Sequence, residues 1–351
     1  RQHGVLGQPD DIGGELIGQW LWSRGAWFAP RLPLILLWPL LLALAVLQLV
    51  EAPHHFAGIG WLAWPVALAA HYWMLQRHTG EQRLPAVWWP LSHAAGLWLF
   101  AFVVTWFTGW GVQQRTESTT WVTVAVLLVT SLLILVASDW IVRLPPLLAN
   151  AAVAYRTLGA TPLVLFGLLW SFVLRVDDSG GGTGLPYVPL FNPLDLATLV
   201  FFAVLWRWVS CLALAHPSWL IWPWAVASFL ALNLAIARAV HHLTGVAYTP
   251  AALYDTALLQ TTYSIVWGAL ALVLMFWATR RRWRQVWIGG ALILALTVGK
   301  LFLVDLSNAD TIARIVSFIG VGLLVIVIAY FAPVPPLVAT EHEPTQSEAV
   351  G

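Results

Sequence analysis

The chain has 351 residues, 60% of them hydrophobic and 9% charged, with a formal net charge of +1. Soluble domains carry about 45–50% apolar and about 25% charged residues, so this composition cannot furnish a surface for water. It also excludes nucleic acid as a partner, because no basic face is present to displace counterions from phosphates.

Residues 1–31 mix Gly, Asp and Trp without a long apolar run and read as an interfacial or connecting segment. The chain begins at Arg1 with no charged-then-apolar signal pattern, which suggests the later part of a longer polypeptide or a processed product. Apolar stretches of about twenty residues, enough to cross the hydrocarbon core, then follow one another. They fall near 32–50, 57–75, 86–108, 120–137, 159–174, 193–215, 219–240, 261–278, 286–305 and 313–331. Between the fourth and fifth, Ser138 to Leu158 carries Asp139, Arg143, Pro145, Pro146, Asn150 and Arg156, which suits a loop and then a helix on the membrane surface. From Pro333 to Gly351, prolines and glutamates predict a disordered cytoplasmic tail. The expected fold is an all-α, polytopic transmembrane helical bundle of about ten spans over 32–332.

Arginine orients that bundle. With the N-terminal connection and every second loop in the cytoplasm, Arg24, Arg31, Arg77, Arg83, Arg143, Arg156 and the cluster Arg280, Arg281, Arg282 and Arg284 all lie inside. The opposite loops hold Arg115 and Arg175, with Arg238, Lys300 and Arg314 near outer helix ends. Both ends of the chain come out cytoplasmic. The 24 tryptophans, many near segment ends, suit an interfacial belt.

The outer face gathers varied chemistry: Asp177, Asp178, Asn192 and Asp195, then His241, His242 and Asp255, then Lys300, Asp305, Asp310 and Arg314. Asn192, Pro193 and Asp195 form a helix start, in which the Asn caps, the Pro occupies the first turn and the acid meets the exposed N–H groups. The preceding Gly180–Gly184 run reads as a flexible loop, without the lysine of a phosphate loop. Ser307 and Asp310 form a capping box, and Asp310, Arg314 and Ser317 share one helix face, where they serve as packing contacts or as part of a pocket. Lys300 is the only lysine. Inside a span it must snorkel outward or meet an acid on another helix, with Asp310, Asp195 and Asp255 as candidates. His71 and His93 suit hydrogen bonds between helices, and adjacent His241 and His242 diverge on a helix. No zinc signature, nucleophile elbow or cysteine ligand set occurs, so neither metal nor cofactor is expected. Cys211, the only cysteine, forms no internal disulfide.

Three runs carry a resemblance: Arg280 to Ala291, Gly299 to Ser307 and Ala313 to Gly322, joined by the Leu185 to Asp195 loop. Together they resemble the end of the large bacterial membrane proteins of the domain of unknown function 2339 family. The likeness is close over about 240–335, patchier over 180–215, and does not extend before about 160. It implies bacterial inner-membrane placement and a missing N-terminal region, implies no reaction, and marks Lys300, Asp305, Arg314, Asn192 and Asp195 as positions of the family's pattern.

The leading expectation is therefore a transport-type or envelope-associated protein, not an enzyme, with a periplasm-facing polar pocket lined by those five residues. Its cations would meet an anionic headgroup or solute. A membrane enzyme acting on a lipid-linked or glycan substrate is the competing class, with Asp255, Asp177 or Asp178 as general base and His241 or His242 assisting. A structural or assembly subunit is the third. Expected partners are membrane lipids, the missing part of the polypeptide and other membrane subunits.

Overall fold

A computed structural model of the chain describes residues 32–52, 54–77, 87–174, 176–212 and 221–305, with a few single residues beyond. The expected connecting segment 1–31, nearly all of the expected span 313–331 and the tail from 333 lie outside the described residues. Every regular element among the described residues is helical. The chain divides into two compact units between Leu220 and Ile221.

Among the described residues the first unit holds six long helices. These are α1 (Leu32–Glu51), α2 (Gly60–Arg77), α3 (Trp88–Thr116), α4 (Thr119–Leu135), α5 (Ala160–Leu169) and α6 (Pro193–Cys211). Helix α4 sits at its centre, packed against α3, α5 and α6. Its buried positions include Thr120, Thr123, Thr130 and Ser131. Such small polar residues let backbones approach where lipid supplies no hydrophobic drive between helices. Their hydroxyls cost little, because those of Thr130 and Ser131 donate to carbonyls one turn back. Leucines face outward instead, among them Leu36, Leu40, Leu128 and Leu132. Polarity inside and apolar bulk outside suit a lipid solvent.

Local signals set the helix ends. The Ser118 hydroxyl accepts from the backbone N–H of Trp121 at the start of α4, and Asn192 Oδ1 accepts from Leu194 N at 2.9 Å at the start of α6. Pro193 occupies the first turn of α6, where its missing N–H costs nothing. Helix α3 ends at Glu117, whose φ of 53° places a non-glycine residue in the left-handed region.

The stretch expected to be a loop and a surface helix is built differently. Helix α4 runs on through a π-helical turn, Val136–Trp140, and a 3-10 turn, Ile141–Arg143. Short turns at Pro146–Ala149 and Ala152–Ala154 and a second π-turn, Tyr155–Gly159, then lead into α5. Two of the charges that read as loop markers, Asp139 and Arg156, are satisfied within the unit. Arg207 pairs bidentately with Asp139 at 2.7 and 2.6 Å, and Arg156 Nε donates to the Ser138 carbonyl at 2.7 Å.

The second unit contains α7 (Ile221–Thr244), a short helix Pro250–Tyr254, α8 (Ala257–Arg281) and α9 (Arg284–Lys300). Ile236 and Val240 at the end of α7 pack with Leu259 at the start of α8, so the two run antiparallel. Helices α8 and α9 form a hairpin in which Met275 packs with Trp287, Ala291 and Leu294. Gly290 permits the close approach, since a Cβ there would lie 2.7 Å from Met275 Cγ. The hairpin turns at Arg282, whose φ is 56°.

Seven helical segments among the described residues are long and apolar enough to cross a membrane. They are Trp88–Thr116, Thr119–Arg143, Ala152–Val173, Pro193–Cys211, Trp222–Thr244, Ala257–Arg281 and Arg284–Leu303. The first two of the ten expected stretches coincide with α1 and α2, which are helical but fall short of that standard, α1 with a described apolar part of only Leu36–Glu51.

Candidate functional site

A polar seam crosses α7, α8 and α9 of the second unit. On α7, Asn233 donates to the Phe229 carbonyl at 2.7 Å and accepts the Trp267 indole N–H of α8 at 2.9 Å. The Tyr263 hydroxyl donates to the Asn233 carbonyl at 3.2 Å. Trp267, Ser264, Tyr263 and Gln260 lie three to four residues apart and so share a broad face of α8. Gln260 and Ser264 carry the seam on to α9. There the Lys300 ammonium donates to the Gln260 carbonyl at 2.9 Å and the Ser264 hydroxyl at 3.0 Å.

Lys300 is half-buried, and a four-carbon stem lets its ammonium reach across to the neighbouring helix. From the start of α8, the seam extends to Ser264 at about 10 Å and to Trp267 at about 15 Å, near half of a hydrocarbon core of about 30 Å. Buried Arg238 lies a turn beyond Asn233 on α7. The unit thus places cationic and hydrogen-bonding groups inside its helical span, where ionisable residues mark binding or conduction paths.

The other expected site residues are distributed as follows. Asp305 closes a π-turn, Leu301–Asp305, that continues α9. Its side chain and all of Arg314 lie outside the described residues, as do Ser307 and Asp310. Asn192 and Asp195 belong to the first unit and are 2% and 5% exposed. Asn192 acts as a cap and also donates from Nδ2 to the Gly180 carbonyl at 2.9 Å.

The glycine run expected to be flexible is pinned. Asp178 accepts from Thr120 at 2.8 Å, Thr123 at 2.9 Å and Gly180 N at 2.9 Å, while the Ser118 hydroxyl donates to the Gly182 carbonyl. Gly180 has a φ of 76°, which favours glycine, and a Cβ there would crowd Asn192 Oδ1 at 3.2 Å. Asp178 is therefore a clamp between loop and helix.

His71 and His93 bond between helices, as expected. His71 Nε2 lies 3.1 Å from the Ser92 carbonyl and His93 Nδ1 lies 3.0 Å from the Tyr155 hydroxyl. All three rings are at most 2% exposed, and His71 Nδ1 and His93 Nε2 have no hydrogen-bond partner among the described residues. Tyr155 completes this buried set from a stretch that reads in sequence as surface. His241 and His242 do not diverge as expected, because their rings stack edge-on with centroids 4.6 Å apart while His241 Nδ1 bonds the Val246 carbonyl. Among the described residues no three His, Cys, Asp or Glu side chains converge to hold a metal.

Asn233, like Gln260, Tyr263, Ser264 and Trp267, is a member of the seam that sequence reading missed. A lone asparagine in an apolar span was the available signal, since such a side chain must find a partner on another helix.

Compared with known proteins, the chain matches the family described as "Predicted membrane protein (DUF2339)" over residues 15–335. The match carries the resemblance far beyond the C-terminal third, to nearly the start of the chain. No curated protein and no solved structure matches.

Proposed function

Since the chain belongs to the DUF2339 family of predicted membrane proteins and is a multi-pass membrane protein, we propose that it binds an anionic solute or lipid headgroup in a periplasm-facing pocket, as a transport-type or envelope-associated protein. Lys300 is the cation of that pocket, and its hold on Gln260 and Ser264 is the observation that carries the reading. An ammonium fixed by a carbonyl and a hydroxyl inside a span is poised for an anion, which can replace either neutral partner with a stronger, charge-assisted bond. Asp305 and Arg314 continue the site along the chain, and Asn192 and Asp195 shape the outer end of the first unit. This reading assumes a bacterial inner membrane, about ten spans and both termini in the cytoplasm, as arginine placement supports.

A hydrated pocket and a dry packing contact make opposite demands on solvent. Ser264→Cys in a Cys211→Ala background, treated in intact cells with a membrane-impermeant maleimide, tests the difference. Labelling from outside, slowed in a Lys300→Met partner variant that loses the polar lining, supports the pocket. No labelling from outside in a folded protein removes it and leaves Lys300 as interhelical packing.

A further inference from the structure

A second site lies toward the opposite end of the second unit and rests on observations other than the Lys300 seam. Helices α7, α8 and α9 enclose a cavity of about 510 Å³ lined almost wholly by apolar groups, including Trp222, Phe229, Leu270, Leu274, Gly289 and Leu296. That volume falls in the range of small-molecule pockets, about 300–1,000 Å³. One feature of its walls is directional. On α9 the lining runs from Gln285 to Leu296 and on α7 from Trp222 to Leu232. At 1.5 Å per residue each wall is about 15–16 Å long, half of a hydrocarbon core of about 30 Å. The cavity therefore has the depth of one leaflet, too short for a spanning helix.

Its near end carries charge. Gln285 adjoins the α8–α9 turn, where Arg280, Arg281, Arg282 and Arg284 are all exposed. Arg280 stacks over the Phe276 ring at 4.3 Å, and none of the four is ion-paired among the described residues. Arg282 keeps its place although its left-handed backbone favours glycine. Trp222 and Trp224, also in the cavity wall, begin α7 at this same end. Indoles at headgroup depth, free guanidinium groups above them and an apolar slot of one-leaflet depth below match the parts of one molecule.

The geometry points to a binding site for an anionic phospholipid, with its phosphate at Arg281, Arg282 and Arg284 and an acyl chain in the cavity. Basic pockets between spans on the cytoplasmic side hold anionic headgroups by this means. Both halves of the ligand are required. Phosphate alone would gain charge contacts without burial, and a neutral lipid would gain burial without charge.

The test uses the full chain, purified in mild detergent, with retained lipid measured by native mass spectrometry against phosphatidylglycerol, phosphatidylcholine and inorganic phosphate. Two variants separate the halves. Gly289→Phe fills the slot, since a Cβ there meets only Trp222 Cζ3 at 3.9 Å. The triple variant Arg281→Gln, Arg282→Gln, Arg284→Gln removes the charge. Ala225→Phe serves as a second filler should Gly289→Phe fail to fold, thermal unfolding in detergent being the check. The site predicts retention of phosphatidylglycerol over phosphatidylcholine, loss of about fivefold per arginine removed, and a comparable loss on filling the slot with the arginines intact. Equal retention of both lipids, binding of inorganic phosphate as strong as of lipid, or retention untouched by either filler would each overturn it. So would a dimer that excludes lipid, which would assign the slot to a second copy of the chain.

Discussion

Asn233 bears more of the second unit's polarity than its size suggests, because its side chain and its backbone carbonyl take bonds from two different rings of α8. Replacing it with Leu keeps the branched shape but strands the Trp267 N–H in an apolar span. Interhelical bonds of this kind contribute about 0.6 kcal/mol on average and up to about 1.7, and an abandoned buried donor costs about 1–3 kcal/mol. Asn233→Leu should therefore destabilise by about 1 kcal/mol, read as a lower unfolding temperature in detergent, whereas Asn233→Asp should keep the Trp267 bond. His55 makes a pH-dependent counterpart outside the spans. It is 1% exposed, and its Nε2 bonds the Ala45 carbonyl at 2.9 Å. Burial pushes its pKa below the ordinary imidazole value, the Ala45 carbonyl opposes that, and neighbouring His54 adds to it. With the folded pKa lowered, the unfolded chain binds the proton more readily. Stability is then fully present above about pH 6.5 and is lost as pH falls below it. Unfolding temperatures at pH 8 and pH 5 should differ more for the natural protein than for His55→Gln, and equal differences would show that another group governs the acid response.

Helix contacts at glycine offer a sharper contrast. A Cβ on Gly167 of α5 would lie 2.4 Å from Cε2 and 2.6 Å from Cζ of Phe201, a fully buried ring on α6. Gly167→Ala should cost about 1–3 kcal/mol as α5 and α6 are forced apart. Gly268→Ala on α8 meets nothing within 4 Å and should be neutral or slightly stabilising, since it only reduces the freedom of the unfolded chain. Thermal unfolding of the two variants in one detergent checks the pair, and Phe201→Ala should recover part of the loss in the Gly167→Ala background. Neither outcome could be read from the sequence, where both glycines sit in apolar runs of the same character. What could be read were the helices themselves. The run 193–215 meets α6 at Pro193, and 286–305 meets α9 and its π-turn, because apolar length and a capping Asn-Pro are local properties. Tyr155 and Arg156 were misread as surface for the opposite reason, as their partners His93 and Ser138 stand at least 18 residues away in the chain. The tryptophan excess divides similarly. Trp61 and Trp283 are exposed as a belt would require, but Trp98, Trp170 and Trp208 donate their indole N–H groups to carbonyls of other segments and staple the first unit together.

Among the described residues, small polar side chains within the core of the first unit and exposed leucines around it support membrane embedding without reference to any site. The candidate site was less open to sequence reading than the fold. Lys300 stood out as a lone cation in a span, but two groups that hold it are the hydroxyl of an unremarked serine and a backbone carbonyl, and no residue pattern announces a carbonyl. Orientation is the remaining link, and it turns on parity. Between the pinned Gly180–Gly184 loop and the Arg280–Arg284 turn lie three helices, α6, α7 and α8, each long and apolar enough to cross. If all three cross and no further span lies outside the described residues, the odd number would put the two on opposite sides, with the arginines inward by charge bias as proposed. Single cysteines at Gly181 and Arg282 in a Cys211→Ala background should then show opposite behaviour toward an impermeant maleimide, the first labelled in intact cells and the second only after permeabilisation. Gly181 serves because it is exposed beside the pinned Gly180 and Gly182 without making their contacts. Labelling of both from one side would mean that one of the three helices does not cross, and Lys300 would no longer be placed near the periplasmic face.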